Sequence, residues 1–321
     1  MTITFKQLTL FIIAFFLCLS VKAVDFPNRP VKIIVPFAPG GTLDVTARLI
    51  AAKLHDTWGQ AVVVENKLGG NGAIGADFVV RSPPDGYTLM YNGTLIVVTQ
   101  QLQKVNFDIL KDLVGVVQPV IYYHVLGVNA KLGVNNLNEL IELAKKQPGH
   151  LNYGSGGMGS SLHLYMERMK SLTKVDIAHI PYKGSAPAMQ ALMSGEVDMV
   201  FDTSFSMIPL IKSRRVKPIV VSGDKRLDSL PNVPTLESYF PSLSEEPGWH
   251  GIFAPNATPK AVVQKIANDV KAIVTSQDMI NRFKEMEFQS TGVGSDAFSE
   301  IIKKDFDTWG KLIRENNIHS D

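Results

Sequence analysis

The stretch "IIVPFAPGGTLDVTARLI", Ile33 to Ile50, decides how this chain is read. Ile33, Ile34 and Val35 form an apolar β-branched run that Pro36 stops, and Gly40-Gly41 supplies a turn. From Leu43 to Trp58 the apolar residues Ile50, Leu54 and Trp58 recur along one face, the spacing of a helix. A strand that passes through a glycine turn into a helix leaves unpaired backbone N–H groups and the positive end of the helix dipole at the turn. Such a place favours an anion. The stretch lacks the Lys of a phosphate loop, and no G-x-x-x-x-G-K-[ST] occurs anywhere in the chain.

The same arrangement recurs twice. Gly69 to Gly75 lies between a strand expected over Ala61 to Glu65 and a helix near Ala73 to Arg81. Gly154 to Ser160 lies between a strand over Leu151 to Tyr153 and a helix over Ser161 to Leu172. Both loops match G-x-G-x-x-G, but a dinucleotide fold also needs an acid about 20 positions on, at a strand's carboxyl end. None follows Gly75, and Asp176 precedes its strand, Ile177 to Pro181. A nucleotide site is therefore not expected, nor any cofactor. Backbone N–H groups at about 1.5–3 kcal/mol per charge-assisted bond can hold a carboxylate without arginine, and none of the three loops contains one. The alternative, that the glycines only make tight turns, stays open, most of all for Gly69 to Gly75. Asp44 has two readings: a helix-start acid paired with Arg48 four residues on, or an acceptor for a ligand amine or an ordered water. Asp202, after the strand "VDMVF", carries the same ambiguity.

The remaining pattern alternates strands and helices, which points to an α/β fold with largely parallel sheets. Tyr87 to Tyr91 reads as a strand ending at Asn92-Gly93-Thr94, and Val197 to Phe201 as another. Helices are expected over Leu137 to Lys146, Ala186 to Ser194, Lys260 to about Thr275, and Asp296 to Arg314. The last carries Phe298, Ile302, Phe306, Trp309 and Ile313 on a shared face. Leu113 to Asn129 suits one extended strand that leaves one lobe for another, and Glu245 to Pro255 suits the return. The first lobe is then built from both ends of the chain, residues 24–126 and 247–321, and the second from 127–246. Ligands of such folds lie at the carboxyl ends of the strands, here in the cleft between lobes.

The N-terminus reads as a secretory signal peptide over residues 1–23: Lys6, an almost unbroken apolar run from Leu8 to Leu19, then Val21-Lys22-Ala23 with cleavage after Ala23. A membrane span needs roughly 20 apolar residues, more than this run offers. Those 23 residues hold two of the chain's 32 basic residues and no acid, leaving 30 of each sign and a net charge of zero. A nucleic-acid partner is not expected from such a balance. Cys18, the sole cysteine, leaves with the leader, so disulfides and thiolate chemistry play no part. Catalytic patterns are equally thin. The seven histidines are scattered without H-E-x-x-H, so no metal site is expected. Neither Ser155, Ser160 nor Ser161 sits in G-x-S-x-G. His163, two residues past Ser161, does not face it on a helix, so packing or capping suits it better.

Five segments together resemble the Bug family, the extracytoplasmic solute receptors of tripartite tricarboxylate transporters. They are "VPFAPGGTLDVTAR" (Val35 to Arg48), "VENKLGGNGAIGADFVVRSPPDGYTL" (Val64 to Leu89), "LNYGSGGMGSSLHL" (Leu151 to Leu164), "HIPYKGSAPAMQALMSGEVDMVFD" (His179 to Asp202) and "GWHGIFAPNATP" (Gly248 to Pro259). The resemblance implies a two-lobed periplasmic binding protein of type II, monomeric and without catalytic activity. Such a protein closes on a small organic carboxylate and delivers it to membrane transporter subunits. It also implies that main-chain amides and ordered waters from one loop of each lobe grip the carboxylate, here Pro39, Gly40, Gly41, Thr42 and Asp44 against Gly154, Ser155, Gly156, Gly159, Ser160, Ser161 and His163. Asn92, Thr94, Tyr182 and Asp202 complete the expected ligand-binding set. The sequence departs from the family pattern at Leu68, at "MYNGTLIVV" (Met90 to Val98) and at Tyr122-Tyr123-His124, and the latter two stretches bear on which ligand is bound. Tyr91, Tyr122 and Tyr123 favour a flat or aromatic one. Two alternatives from other classes are a secreted serine hydrolase and a ligand-sensing receptor of a signalling system.

Overall fold

Two separate mixed β-sheets, each covered by helices, make up the structure, a computed structural model that describes residues 26–241 and 247–319. The expected signal peptide, residues 1–23, lies outside the described residues. Along the chain come β1 (Val31–Val35), α1 (Thr42–Trp58), β2 (Val62–Asn66), a short 3₁₀ turn (Gly70–Gly72), α2 (Ala73–Val80), β3 (Thr88–Gly93), α3 (Leu95–Leu102), α4 (Ile109–Asp112) and β4 (Leu113–Tyr122). The middle section holds β5 (His124–Asn129), α5 (Leu137–Lys146), β6 (Asn152–Ser155), α6 (Ser161–Thr173), β7 (Ala178–Pro181), α7 (Ser185–Ser194), β8 (Met199–Thr203), α8 (Ser204–Lys212), β9 (Val216–Val221) and α9 (Leu236–Tyr239). The last section holds β10 (Gly248–Pro255), α10 (Lys260–Val274), α11 (Gln277–Glu285), β11 (Phe288–Gly294) and α12 (Ser295–Glu315).

The first sheet runs β11-β4-β10-β3-β1-β2, so both ends of the chain contribute to it; the second runs β7-β6-β8-β5-β9. Parallel pairing holds within the local strand–helix–strand units, β1 with β2 and β3, and β6 with β7 and β8. Strands arriving from the other sheet run antiparallel, β10 against β3 and β4, and β5 against β8 and β9. The expectation of largely parallel sheets is thus corrected to mixed ones. A strand that enters a lobe from its neighbour comes from the cleft side, opposite to strands that run toward the cleft.

Leu113 to Asn129 is two strands and not one. The ladder of β4 ends at Tyr122 and that of β5 begins at His124, in the other sheet. Side chains alternate along an extended chain, so consecutive tyrosines part company. Tyr122 joins the core cluster of the first sheet and Tyr123 that of the second. On the return, β10 lies wholly in the first sheet, so the crossing precedes Gly248; residues 242–246 of that connection lie outside the described residues.

The remaining core cluster spans both sheets. Its link is α12, whose expected apolar face is real: Phe298, Ile302, Trp309 and Ile313 are buried. Trp309 packs edge-on against Tyr165 of α6, ring centroids 5.2 Å apart, so this helix of the first lobe also braces the second.

Candidate functional site

In the first loop the short side chain that decides the geometry is Asp44, 3% exposed. Its carboxylate accepts from the Gly40 N–H at 3.0 Å, from Arg48 Nε at 3.0 Å and from Asn66 Nδ2 at 2.9 Å. Asn66 also donates to the Phe37 carbonyl at 2.9 Å, stitching β2 to the loop. The hydrogen bond from Arg48 leads in holding the Asp44 carboxyl down at about 2, against the opposing effect of burial, and those from the Gly40 N–H and Asn66 add to it. The helix-start reading of Asp44 is the one the geometry realises, and it consumes the Gly40 amide. The open donors lie one step on. Gly41 caps α1 without any side-chain bond, and the first amides of a helix, Thr42, Leu43 and Asp44, have no carbonyl one turn back.

The loop after β6 is tied up differently. Ser155 is fully buried; its Oγ accepts the Gly157 N–H at 3.0 Å and lies 2.6 Å from His179 Nε2. Ser160 caps α6, accepting from the His163 N–H at 3.3 Å and donating to the Gly157 carbonyl at 2.7 Å. His163 Nδ1 accepts the Gly159 N–H at 3.0 Å, so its proton sits on Nε2. Its ring then stacks on His179 at 4.3 Å, which stacks on Tyr153 at 4.7 Å. Burial pushes His179 down to about 4, so the column is neutral. The amides of Gly157, Gly159, Ser160 and His163 are therefore spent inside the loop. That of Ser161, at the start of α6, is not.

His179 was absent from the sequence-derived set, since it lies 24 residues from Ser155 on the neighbouring strand and no local spacing signals the pair. A serine beside a histidine invites a nucleophile reading. Against it, Ser155 is shut away from solvent, and no hydrogen bond or ion pair joins His179 to a carboxylate among the described residues.

Asp202 and Tyr182 serve the frame of the second lobe. Asp202 is buried, accepts from Ser185 Oγ at the start of α7 and from the Thr203 N–H at 2.6 Å, and burial raises its carboxyl to about 6. Tyr182 donates its hydroxyl to Glu196 at 2.7 Å. Gly156 packs against this same α7 start: a Cβ there would meet the Gly184 carbonyl carbon at 3.4 Å and the Ser185 nitrogen at 3.5 Å. The Gly69 to Gly75 loop is a packing device. Gly69, Gly70 and Gly72 adopt positive φ, and a Cβ on Gly75 would come within 2.7 Å of Pro36, so the loop buttresses the first one.

Between the lobes, at the sheet exchange, Thr94, Leu95 and Val98 face Ser161, Leu164 and Tyr165 across a narrow pocket of about 10 Å³, room for no more than one water. Tyr122, His124 and Trp309 complete its lining. Thr94 Oγ1 accepts the Trp249 N–H at 3.1 Å, while Asn92 is buried and spends its Oδ1 on the Gly93 N–H at 2.8 Å. Of the three tyrosines read as ligand-facing, only Tyr122 lines this pocket. Tyr91 is buried in the first lobe with its hydroxyl 3.4 Å from His250 Nδ1, and Tyr123 packs beside Gly223. No hydrogen bond or ion pair links the two glycine loops to each other among the described residues.

Two α/β lobes joined by crossing strands, with an uncapped start of α1 and an uncharged pocket at their junction, have the architecture of a periplasmic-type solute-binding protein. The chain belongs to the family described as "Tripartite tricarboxylate transporter family receptor", which it matches over residues 46–318. It is 31% identical over 299 residues to protein BugT of Bordetella pertussis, covering 92% of this chain and 91% of that one. Among solved structures it is similar to Rpa4515 of R. palustris with adipate, at 31% identity and a TM-score of 0.82 over 92% of this chain and all of that one. MatC from Rhodopseudomonas palustris with bound malate is similar too, at 28% identity and a TM-score of 0.78, over 90% of this chain and all of that one.

Proposed function

We propose that this chain is a periplasmic receptor that captures a small organic carboxylate between its lobes and hands it to the membrane subunits of a tripartite tricarboxylate-type transporter. The observation that carries this reading is the start of α1, where Thr42 to Asp44 offer amides that no capping side chain satisfies. The start of α6 contributes the Ser161 amide from the opposite lobe. Charge-assisted bonds to a carboxylate at about 1.5–3 kcal/mol each supply the grip, and the two helix dipoles reinforce it. The adipate and malate of its structural relatives support a carboxylate ligand. The proposed set keeps Pro39 to Thr42, Thr94, Gly154, Gly156 and Ser161 near the ligand. Asp44, Ser155, Gly159, Ser160, His163, Tyr182 and Asp202 hold the loops in shape.

The same reading has the leader removed after Ala23, residues 24–126 with 247–321 and residues 127–246 acting as the two lobes, and a monomer as the working unit. A signalling receptor needs the same ligand-bound form, and uptake of the ligand by a strain lacking the gene separates the two. A thermal-shift screen of the mature protein tests ligand class. A carboxylate at 100 times its dissociation constant adds about 2.7 kcal/mol and raises the midpoint visibly. A panel in which sugars or divalent metals raise the midpoint and no carboxylate does overturns the reading.

A further inference from the structure

Strand β7 lies at the edge of the second sheet and most of it is exposed, yet its histidine reaches back to the loop after β6. His179 Nε2 lies 2.6 Å from Ser155 Oγ, and the ring stacks on those of His163 at 4.3 Å and Tyr153 at 4.7 Å. A hydroxyl has one proton to give. Ser155 Oγ has two acceptors in reach, His179 Nε2 at 2.6 Å and the Gly157 carbonyl at 3.2 Å. That carbonyl already accepts the Ser160 N–H at 3.2 Å and the Ser160 hydroxyl at 2.7 Å, which fill its two lone pairs. The serine proton therefore goes to His179 Nε2, and the ring carries its own proton on Nδ1. Ser155 Oγ keeps a lone pair for the Gly157 N–H at 3.0 Å.

What hangs on this arrangement is the start of α6. Ser160 is anchored on the Gly157 carbonyl through both its amide and its hydroxyl, and its Oγ accepts the His163 N–H at 3.3 Å. The path from His179 through Ser155, Gly157 and Ser160 thus ends at Ser161, whose amide is the open donor of this lobe. A His179 able only to donate from Nε2 would turn the serine proton onto the Gly157 carbonyl, where Ser160 already sits. The titratable groups around the ring are His163, Glu167 and Lys170 of α6 and Tyr153 of β6. Glu167 is taken up by Lys170 and by the Tyr153 hydroxyl, each at 2.7 Å, and burial keeps the His179 ring neutral.

We infer that His179 is the positioning residue of the anion-binding loop in the second lobe: as acceptor of the Ser155 proton it fixes the loop that aims the Ser161 amide at the carboxylate. It acts through Ser155 and needs no contact with the ligand. The inference rests on the carboxylate reading above and adds the residue that holds one half of the grip in place.

Tautomer and binding measurements on the mature protein test it together. In the parent, the ring ¹⁵N shifts of His179 should show the neutral Nδ1–H tautomer at neutral pH. Calorimetric titration uses malate, adipate and the acid that raises the midpoint most in the thermal-shift panel. His179→Phe keeps a flat ring for the stack and loses the acceptor, and it should bind roughly tenfold more weakly, the scale of one hydrogen bond. His179→Gln, whose side-chain carbonyl accepts the same proton, should recover most of that loss. In a Ser155→Ala background, His179→Phe should add less than about twofold, because the path runs through the serine. A merely structural role would weaken the Phe and Gln variants alike and would add in full to Ser155→Ala. If His179→Phe fails to fold, the tautomer of the parent and the binding of His179→Gln decide the matter. An Nε2–H or charged ring, a folded His179→Phe that binds like the parent, a His179→Gln without recovery, or full additivity overturns the inference and leaves the carboxylate reading standing. A parent that binds none of the acids overturns the carboxylate reading itself and this inference with it.

Discussion

At the scale of single residues, Asp44 shows how a carboxylate can shape the loop proposed to hold another carboxylate. It sits in the first turn of α1, where its charge opposes an incoming anion, but Arg48 and Asn66 take that charge up and the Gly40 amide fixes the turn. Asp44→Ala leaves Gly40, Arg48 and Asn66 without their acceptor. It should lower stability by about 1–3 kcal/mol, read as a lower urea midpoint. Since the folded pKa is depressed, the contribution of Asp44 is present above the ordinary aspartate range and is lost as the pH falls through about 2. A variant with the parent's midpoint would mean the loop holds its turn without the carboxylate. Gly40 has a part in the same device through its φ of 83°, a backbone region that β-branched residues avoid.

At the scale of elements, the loop between β6 and α6 is held against the start of α7, and Gly156 is the contact point. A Cβ there would sit in ordinary contact with Gly184 and Ser185 at 3.4–3.5 Å, so it is the added γ-methyls of a branched side chain that would press the loop away from α7 and displace the Ser161 amide. Gly156→Val should therefore weaken carboxylate binding by roughly one to two orders of magnitude, the loss of the charge-assisted bond of the Ser161 amide at about 1.5–3 kcal/mol. Circular dichroism should stay that of the parent, and titration calorimetry gives the dissociation constant. A folded Gly156→Val that binds like the parent places the anion on a side chain instead of this amide.

For the whole molecule, burial of histidines sets the response to acid. Burial holds His124 and His250 down at about 3 and His179 at about 4, each below the ordinary 6.5. The unfolded chain takes up protons between those values that the folded chain refuses, so stability is complete above about pH 6.5 and falls as the pH drops toward 4. Asp202 works the other way: its carboxyl, raised by burial from 3.8 to about 6, keeps a proton in the fold, so its contribution declines as the pH rises through that window. Three histidines outweigh one aspartate. The thermal midpoint should climb between about pH 4 and 6.5 and level off above, and a midpoint flat across that range would contradict the buried, neutral state of these rings.

What the sequence determined by itself was everything that local chemistry specifies. The run Ile33 to Val35, the Gly40-Gly41 turn and the apolar face of α1 need only neighbours within a few turns, as do the Gly154 loop and the face of α12. Two long apolar crossings were enough to infer a lobe built from both chain ends. Local propensity alone does not yield α3: "LIVVTQQL" is rich in β-branched residues yet forms a helix, because packing against α12 and its own lobe overrides propensity. The polar edge strand β11 and the proline-bearing β9 carry no clear alternation and went unread. Only the tertiary structure decided which side of the crossing each of Tyr122, Tyr123 and His124 faces, since the chain changes sheets within one residue there. It alone set Ser155 beside His179 and left the His124 ring unpaired at the junction of the lobes. Register between strands distant in sequence is a property of the assembled core, and no spacing along the chain records it.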